Sequence, residues 1–134
     1  MTREELDRLF VLTAPARERD LLTAEAGLGH EIPADYRSLL RITDGLSCAG
    51  NLVLLGAADI VERNREYEVG VYLPGHVMIG DDSGGTAILM RQDRPTVHEV
   101  DMGAMDLTCL EHSASSLRQL LLDFDGRTLG ERTG

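Results

Sequence analysis

The chain contains no tryptophan and no lysine, and aromatic residues make up only 4% of it. With so few rings, aliphatic side chains must fill the core. The scarcity also argues against a surface that stacks unpaired bases on aromatic faces. The two cysteines, Cys48 and Cys109, have no CxxC or Cys/His spacing around them. They read as free, buried thiols rather than as a disulfide or a metal site. No segment approaches membrane-spanning length, and the opening MTREELDRLF lacks the apolar run of a signal peptide. A cytoplasmic location and no membrane partner are the expectation. HxxxH, HExxH and GxSxG patterns are absent, and His30, His76, His98 and His112 are dispersed along the chain. The expected metal ligands, cofactors and catalytic residues are therefore none.

All 13 basic residues are arginine, which reads as the coding bias of a GC-rich bacterial source. Against them stand 23 acidic residues, giving a net charge of −10. A phosphate backbone repels such a chain, so nucleic acid is not an expected partner. Strong negative charge keeps a protein soluble and can also steer it onto a basic partner, and both readings stay open. At 134 residues the chain reads as one domain over 1–134. Folding a chain of that size hides roughly two-thirds of its surface from water, enough for a core without metal or disulfide staples.

The stretch around which the rest is arranged is His76–Met90, HVMIGDDSGGTAILM. Two apolar runs, Val77–Ile79 and Ala87–Met90, flank the polar, glycine-rich break Gly80–Gly85. Runs this short, bounded by turn residues, predict two strands joined by a hairpin turn. Because both are apolar at nearly every position, their sheet is expected to be covered on both faces. As a phosphate cradle the break fails: it has no lysine, carries two carboxylates and leads into a strand. As a calcium loop it lacks the spacing and the twelfth-position glutamate. A tight turn with solvated carboxylates is the reading adopted.

Before that hairpin the chain reads as helical. Thr2 caps a first helix whose Leu6, Leu9 and Phe10 share a face, and Pro15 breaks it. A second helix runs Ala16–Ala26 with Leu21, Leu22 and Ala26 as apolar positions, ending at Gly27 or Gly29. Ile32–Gly45 is the clearest helix: Pro33 suits its first turn, Tyr36, Leu39, Leu40 and Thr43 make one face, and Gly45 stops it. Tyr36 reads as a core anchor with its hydroxyl at the rim. Asn51–Leu55 reads as the first strand. Asp59 then caps a helix to about Glu68, with Ile60, Val61, Asn64 and Tyr67 inward.

After the hairpin, Val97–Met102 reads as a strand with Val97, Glu99 and Asp101 on one wet, acidic face. Leu107–Leu110 is a short strand or extended lead-in. Ser113 caps a last helix carrying Leu117, Leu120, Leu121 and Phe124, and residues 127–134 read as a loose tail. Helices, then strands, then a closing helix specify an α+β fold, an antiparallel or mixed sheet with helices packed against it.

Between Asp81 and Glu111 seven carboxylates face two arginines, a local charge of −5. If the hairpin turn and the acidic strand face adjoin, Asp81, Asp82, Glu99, Asp101 and Asp106 form one surface for a basic protein partner.

The segments IPADYRSLLRITDG, NREYE, HVMIGDDSGGTAILM and VHEVD together resemble the SUKH superfamily, which includes the yeast cell-wall synthesis regulator and many small bacterial proteins. The resemblance covers roughly Leu6 to Phe124. It rests on Pro33, Tyr36, Leu39 and Gly45 in the first motif, and on Ile79, Gly80, Asp82, Gly84 and Gly85 in the second. One departure is Asp44–Gly45 where Asn–Gly is more familiar. The resemblance implies an α+β fold and a non-enzymatic, protein-binding role. Bacterial members are commonly immunity proteins that bind and neutralise toxins, often nucleases. A regulatory scaffold in cell-wall or signalling physiology is the alternative that the yeast member suggests.

Overall fold

The computed structural model describes residues 1–133. Among them seven strands form one sheet in which each strand pairs antiparallel with the next in sequence. The fold is α+β, and the sheet is antiparallel. The strands are β1 Phe10–Leu12, β2 Leu46–Cys48, β3 Val53–Leu54, β4 His76–Asp81, β5 Thr86–Arg91, β6 Val97–Asp101 and β7 Glu111–Ala114. The helices are α1 Arg3–Asp7, α2 Glu18–Leu28, α3 Ala34–Leu40, α4 Ala57–Glu66, α5 Val69–Tyr72 and α6 Leu129–Thr133. A 3₁₀ turn at Leu107–Cys109 and a π-helical segment at Gln119–Asp123 complete the set.

The central hairpin forms as its residues predict, with β4 and β5 buried along almost their whole length. Alternation splits their side chains between two cores. Val77, Ile79, Ile88 and Met90 join Leu6, Leu21, Tyr36, Leu39, Leu40, Ile60 and Leu120 in the larger one. Met78, Ala87, Leu89 and Val100 pack with Val69 and Leu73 in the smaller one. The sheet is thus covered on both faces, which is why its central strands carry so few polar residues.

Several boundaries differ from the sequence reading. Thr2 and Glu5 do form a reciprocal capping box, at 3.2 and 2.9 Å. The helix nevertheless ends at Asp7, and Phe10 enters β1 beneath Gly126. A Cβ on Gly126 would lie 2.5 Å from the Phe10 ring. Helix α2 closes on Gly29 in the left-handed conformation, as expected, but its inward residues are Leu21 and Ala24, while Leu22 is exposed. Helix α3 stops at Leu40, so Thr43 lies past its end, buried, donating to the Gly45 carbonyl at 2.6 Å.

The first strand is Phe10–Leu12 rather than a segment at 51–55, where only Val53–Leu54 pairs. Asp59 does not cap α4. Gly56 precedes that helix, and Asp44 Oδ1 accepts from the Ala57 N–H at 2.7 Å. Leu107–Leu110 contains a 3₁₀ turn rather than a strand. Ser113 sits buried in β7, and Ser116 Oγ takes over its expected capping role, accepting from Gln119 N–H at 3.1 Å.

Residues 127–133 are not a loose tail. Thr128 and Glu131 form a capping pair, with Thr128 N–H and Oγ1 both 3.2 Å from Glu131 Oε1, and α6 docks on the sheet. Cys48 and Cys109 are both free, but Cys109 is exposed rather than buried.

Candidate functional site

The residues of the two motifs build the frame of the site. Tyr36 is fully buried, and its hydroxyl donates to the Leu55 carbonyl with the Ile79 carbonyl 3.1 Å away. It therefore ties α3 to β3 and to β4 rather than standing at the rim. Burial, reinforced by the negative charges of Asp44 and Asp59, raises its pKa well above the ordinary phenol value. Leu39 lies beside it in the core, and Pro33, also buried, precedes α3.

Gly45 has φ +87°, and a Cβ there would sit 2.7 Å from the Leu54 carbonyl oxygen. Asp44 beside it caps α4, so the Asp44–Gly45 pair joins the end of α3 to the start of α4. An aspartate accepts the Ala57 N–H as well as an asparagine would, which accommodates the departure from Asn–Gly.

Gly80 is required by close approach rather than by its backbone angles. A Cβ there would collide with the Val53 carbonyl oxygen. Between Met78 and Gly80 the β4–β5 register shifts by a bulge at Ile79, which bends the hairpin. Its turn is held by the two aspartates. Asp81 Oδ1 accepts from Ser83 N–H at 2.8 Å, and Asp82 Oδ1 accepts from Gly84 and Thr86 N–H at 2.8 and 2.9 Å. Gly85 has φ +101°, the left-handed region that favours glycine, whereas Gly84 shows no positive φ.

The five predicted carboxylates do not form one surface. Asp81 is buried and paired with Arg63 at 3.1 Å. Glu99 is 4% exposed, which corrects the expectation of a wet face on β6. Its Oε2 accepts from Ser113 Oγ at 2.6 Å and Leu129 N–H at 3.0 Å, with Arg132 at 3.9 Å. Arg132 also donates to Ser113 and stacks 4.1 Å over the Phe124 ring. Glu99 is thus the buried anchor for α6. Strand alternation assigns it correctly to the face of Val97, but that face is covered.

Asp82 and Asp101 flank Thr86 from either side. Asp82 binds Thr86 N–H, Thr86 pairs with Asp101 across the sheet, and Met102 N–H donates to the Gly85 carbonyl at 2.8 Å. Asp101 is exposed and spends one oxygen on Gly103 N–H, at 2.7 Å. Asp106, also exposed, caps the 3₁₀ turn through Thr108, whose hydroxyl and N–H lower its pKa below the usual carboxylate value. Of the five carboxylates, Asp101 and Asp106 are thus exposed and Asp82 half-exposed, whereas Asp81 and Glu99 are buried.

A different grouping escapes any reading along the sequence. His76, His98 and His112 line one cavity, although they stand in three separate strands. Among the described residues no group of three or more His, Cys, Asp or Glu is placed to hold a metal ion. Nor is any helix there long and apolar enough to cross a membrane.

Comparison with curated proteins gives no match. The model of the SMI1 / KNR4 family (SUKH-1) matches residues 15–123, from the lead-in to α2 through the π-helical segment, and so contains both motifs and the hairpin they frame. The chain belongs to that family.

Proposed function

We propose that the protein is a non-enzymatic, cytoplasmic binding module, an immunity protein that neutralises a cognate bacterial toxin through the acidic end of its sheet. The observation that carries this reading is the placement of Asp82 and Asp101 on either side of Thr86, at one end of the β4–β6 meander, in a chain of net charge −10. A toxin that acts on nucleic acid needs a basic surface to attract phosphates, and the same surface attracts clustered carboxylates. Binding there excludes substrate by occupancy and by charge. Asp82, Asp101 and Asp106 are the proposed contacts, while Asp81 holds the turn through Ser83 N–H and Glu99 anchors α6.

The test has two stages. The protein is first used to capture partners from lysate of the source organism at low and then high salt. Association kinetics of the recovered partner are then compared for wild type and the Asp82→Asn/Asp101→Asn double variant. Asparagine keeps the Oδ1 acceptor for the turn N–H groups, so the variant removes charge without removing the turn. A basic toxin-like partner that leaves as salt rises, with an on-rate about tenfold lower for the variant at low salt, is the expected result. A salt-resistant partner bound at an unchanged rate would instead favour a regulatory scaffold acting through another face.

A further inference from the structure

The end of the β4–β5 hairpin opposite Asp82 and Asp101 has the reverse electrostatic character. There, His76 at the start of β4, Arg91 at the end of β5, His98 on β6 and His112 on β7 line a cavity of about 490 Å³. Register brings them together: His76 pairs with Arg91, and His98 with His112. The His98 ring centroid lies 6.2 Å from that of His76 and 5.7 Å from that of His112, both edge to face. Arg94 and Thr96, from the β5–β6 turn, complete the polar lining, and Leu107 and Leu110 supply an apolar wall. The volume lies within the range of small-molecule sites.

Two features distinguish this cavity from a solvated surface. The first is its charge: no carboxylate lines it, although acidic residues outnumber basic ones 23 to 13 in the chain. Asp93, which pairs with Arg91 at 3.1 Å, is exposed outside the lining, and Arg94 has no ion-pair partner among the described residues. The second is a pair of buried atoms, Nδ1 of His98 and Oγ1 of Thr96, that lack a hydrogen-bond partner, both on residues of the lining. Buried polar atoms left unpaired are costly and rare in folded proteins.

We propose that this cavity binds a phosphate-type oxyanion, either free or carried by a small molecule. A divalent anion has enough acceptor oxygens for the Arg91 and Arg94 guanidinium groups, the Thr96 hydroxyl and the imidazole N–H groups at once. His76 Nδ1 faces the Pro74 carbonyl at 3.1 Å, which makes Nδ1 a donor, so that Nε2 donates to an anion in the cavity from the imidazolium form. A divalent metal fits less well, since two guanidinium groups would repel it and no carboxylate would compensate. Burial lowers the pKa of His98, and the positive charges of His112, His76 and Arg91 lower it further. A bound anion reverses that repulsion.

The experiment follows the histidine ring protons of the full chain by NMR during titration at constant ionic strength. Three parallel arms use inorganic phosphate, O-phosphoserine and acetate. The expected result is saturable movement of the His76, His98 and His112 signals at roughly millimolar phosphate or below, with the His98 pKa raised in its presence. Arg94→Gln should weaken binding by about tenfold or more, while Arg8→Gln, remote at the end of α1, leaves it unchanged. Arg94 is exposed in a turn, so its variant keeps the fold, and circular dichroism checks this. Equal affinity in the first two arms identifies the bare oxyanion as ligand. Tighter phosphoserine binding identifies a phosphate carried by a small molecule as ligand. Non-saturable shifts, an acetate response equal to that of phosphate, or an unaltered response in Arg94→Gln would overturn the proposal.

Discussion

The side-chain amide of Asn64, on α4, pairs with the backbone of Met78 in both directions, donating from Nδ2 to the carbonyl at 2.9 Å and accepting the N–H on Oδ1 at 2.8 Å. Strand β3 reaches only as far as Gly80 on that edge of β4, so Asn64 satisfies the peptide groups beyond it as a neighbouring strand would. Replacing Asn64 with leucine leaves a buried donor and a buried acceptor without partners. The expected loss is about 2–4 kcal/mol, read as a lower urea midpoint with an unchanged denaturant slope.

Gly80 and Gly84 stand four residues apart in one motif but carry different constraints. Gly80→Ala forces β3 and β4 apart, because the new methyl would meet the Val53 carbonyl. A destabilisation of about 3 kcal/mol is expected. A Cβ added at Gly84 would have an Asp82 oxygen as its nearest neighbour, at 3.6 Å, an ordinary contact. Gly84→Ala should therefore change stability by no more than about 0.5 kcal/mol. Thermal melts of the two variants side by side make the comparison.

Glu99 is expected to act on stability rather than on partner binding. Glu99→Leu strands the Ser113 hydroxyl, the Leu129 N–H and the Arg132 guanidinium, at a cost of about 3 kcal/mol. Amide hydrogen exchange should show α6 losing protection before the β4–β5 hairpin does. An α6 that stays protected in that variant would contradict the anchoring role.

Two groups predict opposite ends of the stability–pH profile. The pKa of His98 is lowered from 6.5, so the unfolded chain binds its proton more readily than the folded one. This group leaves stability intact above about pH 6.5 and erodes it as pH falls from there toward the folded pKa. Glu25 loses stabilisation lower on the scale. Burial pushes its pKa up, but the Arg37 guanidinium and the Ile32 N–H outweigh that and hold it below 4.5. Its contribution is present above 4.5 and lost as pH falls through the folded value. Urea midpoints in phosphate-free buffer should decline less below about pH 6.5 for His98→Gln, and less below about pH 4.5 for Glu25→Gln, than for wild type.

Much of this arrangement is legible in the residues themselves. Tyr36, Leu39 and Leu40 fall together by helical period, and the apolar runs on either side of Gly80–Gly85 specify the hairpin. The Thr128–Glu131 spacing, the same capping signal as Thr2–Glu5, was available to locate α6. Strands β1, β2 and β3 have only two or three residues each, too few for a period to emerge. They exist because neighbours distant in sequence pair with them, Phe10 with Cys48 and Val53 with Asp81.

The sequence alone determined the α+β plan, the central hairpin and the strong negative charge, because each depends on composition or on spacings within a few residues. Only the tertiary structure decided what the polar residues do. Glu99 reads as a surface charge until Leu129, 30 residues away, brings an N–H to it and α6 covers it. Asp82 and Asp101 come to flank Thr86 only through its pairing on both sides, and His76, His98 and His112 meet only when β4 to β7 align. A side chain's chemistry is local, but its burial and its charge partners depend on which strands lie beside it.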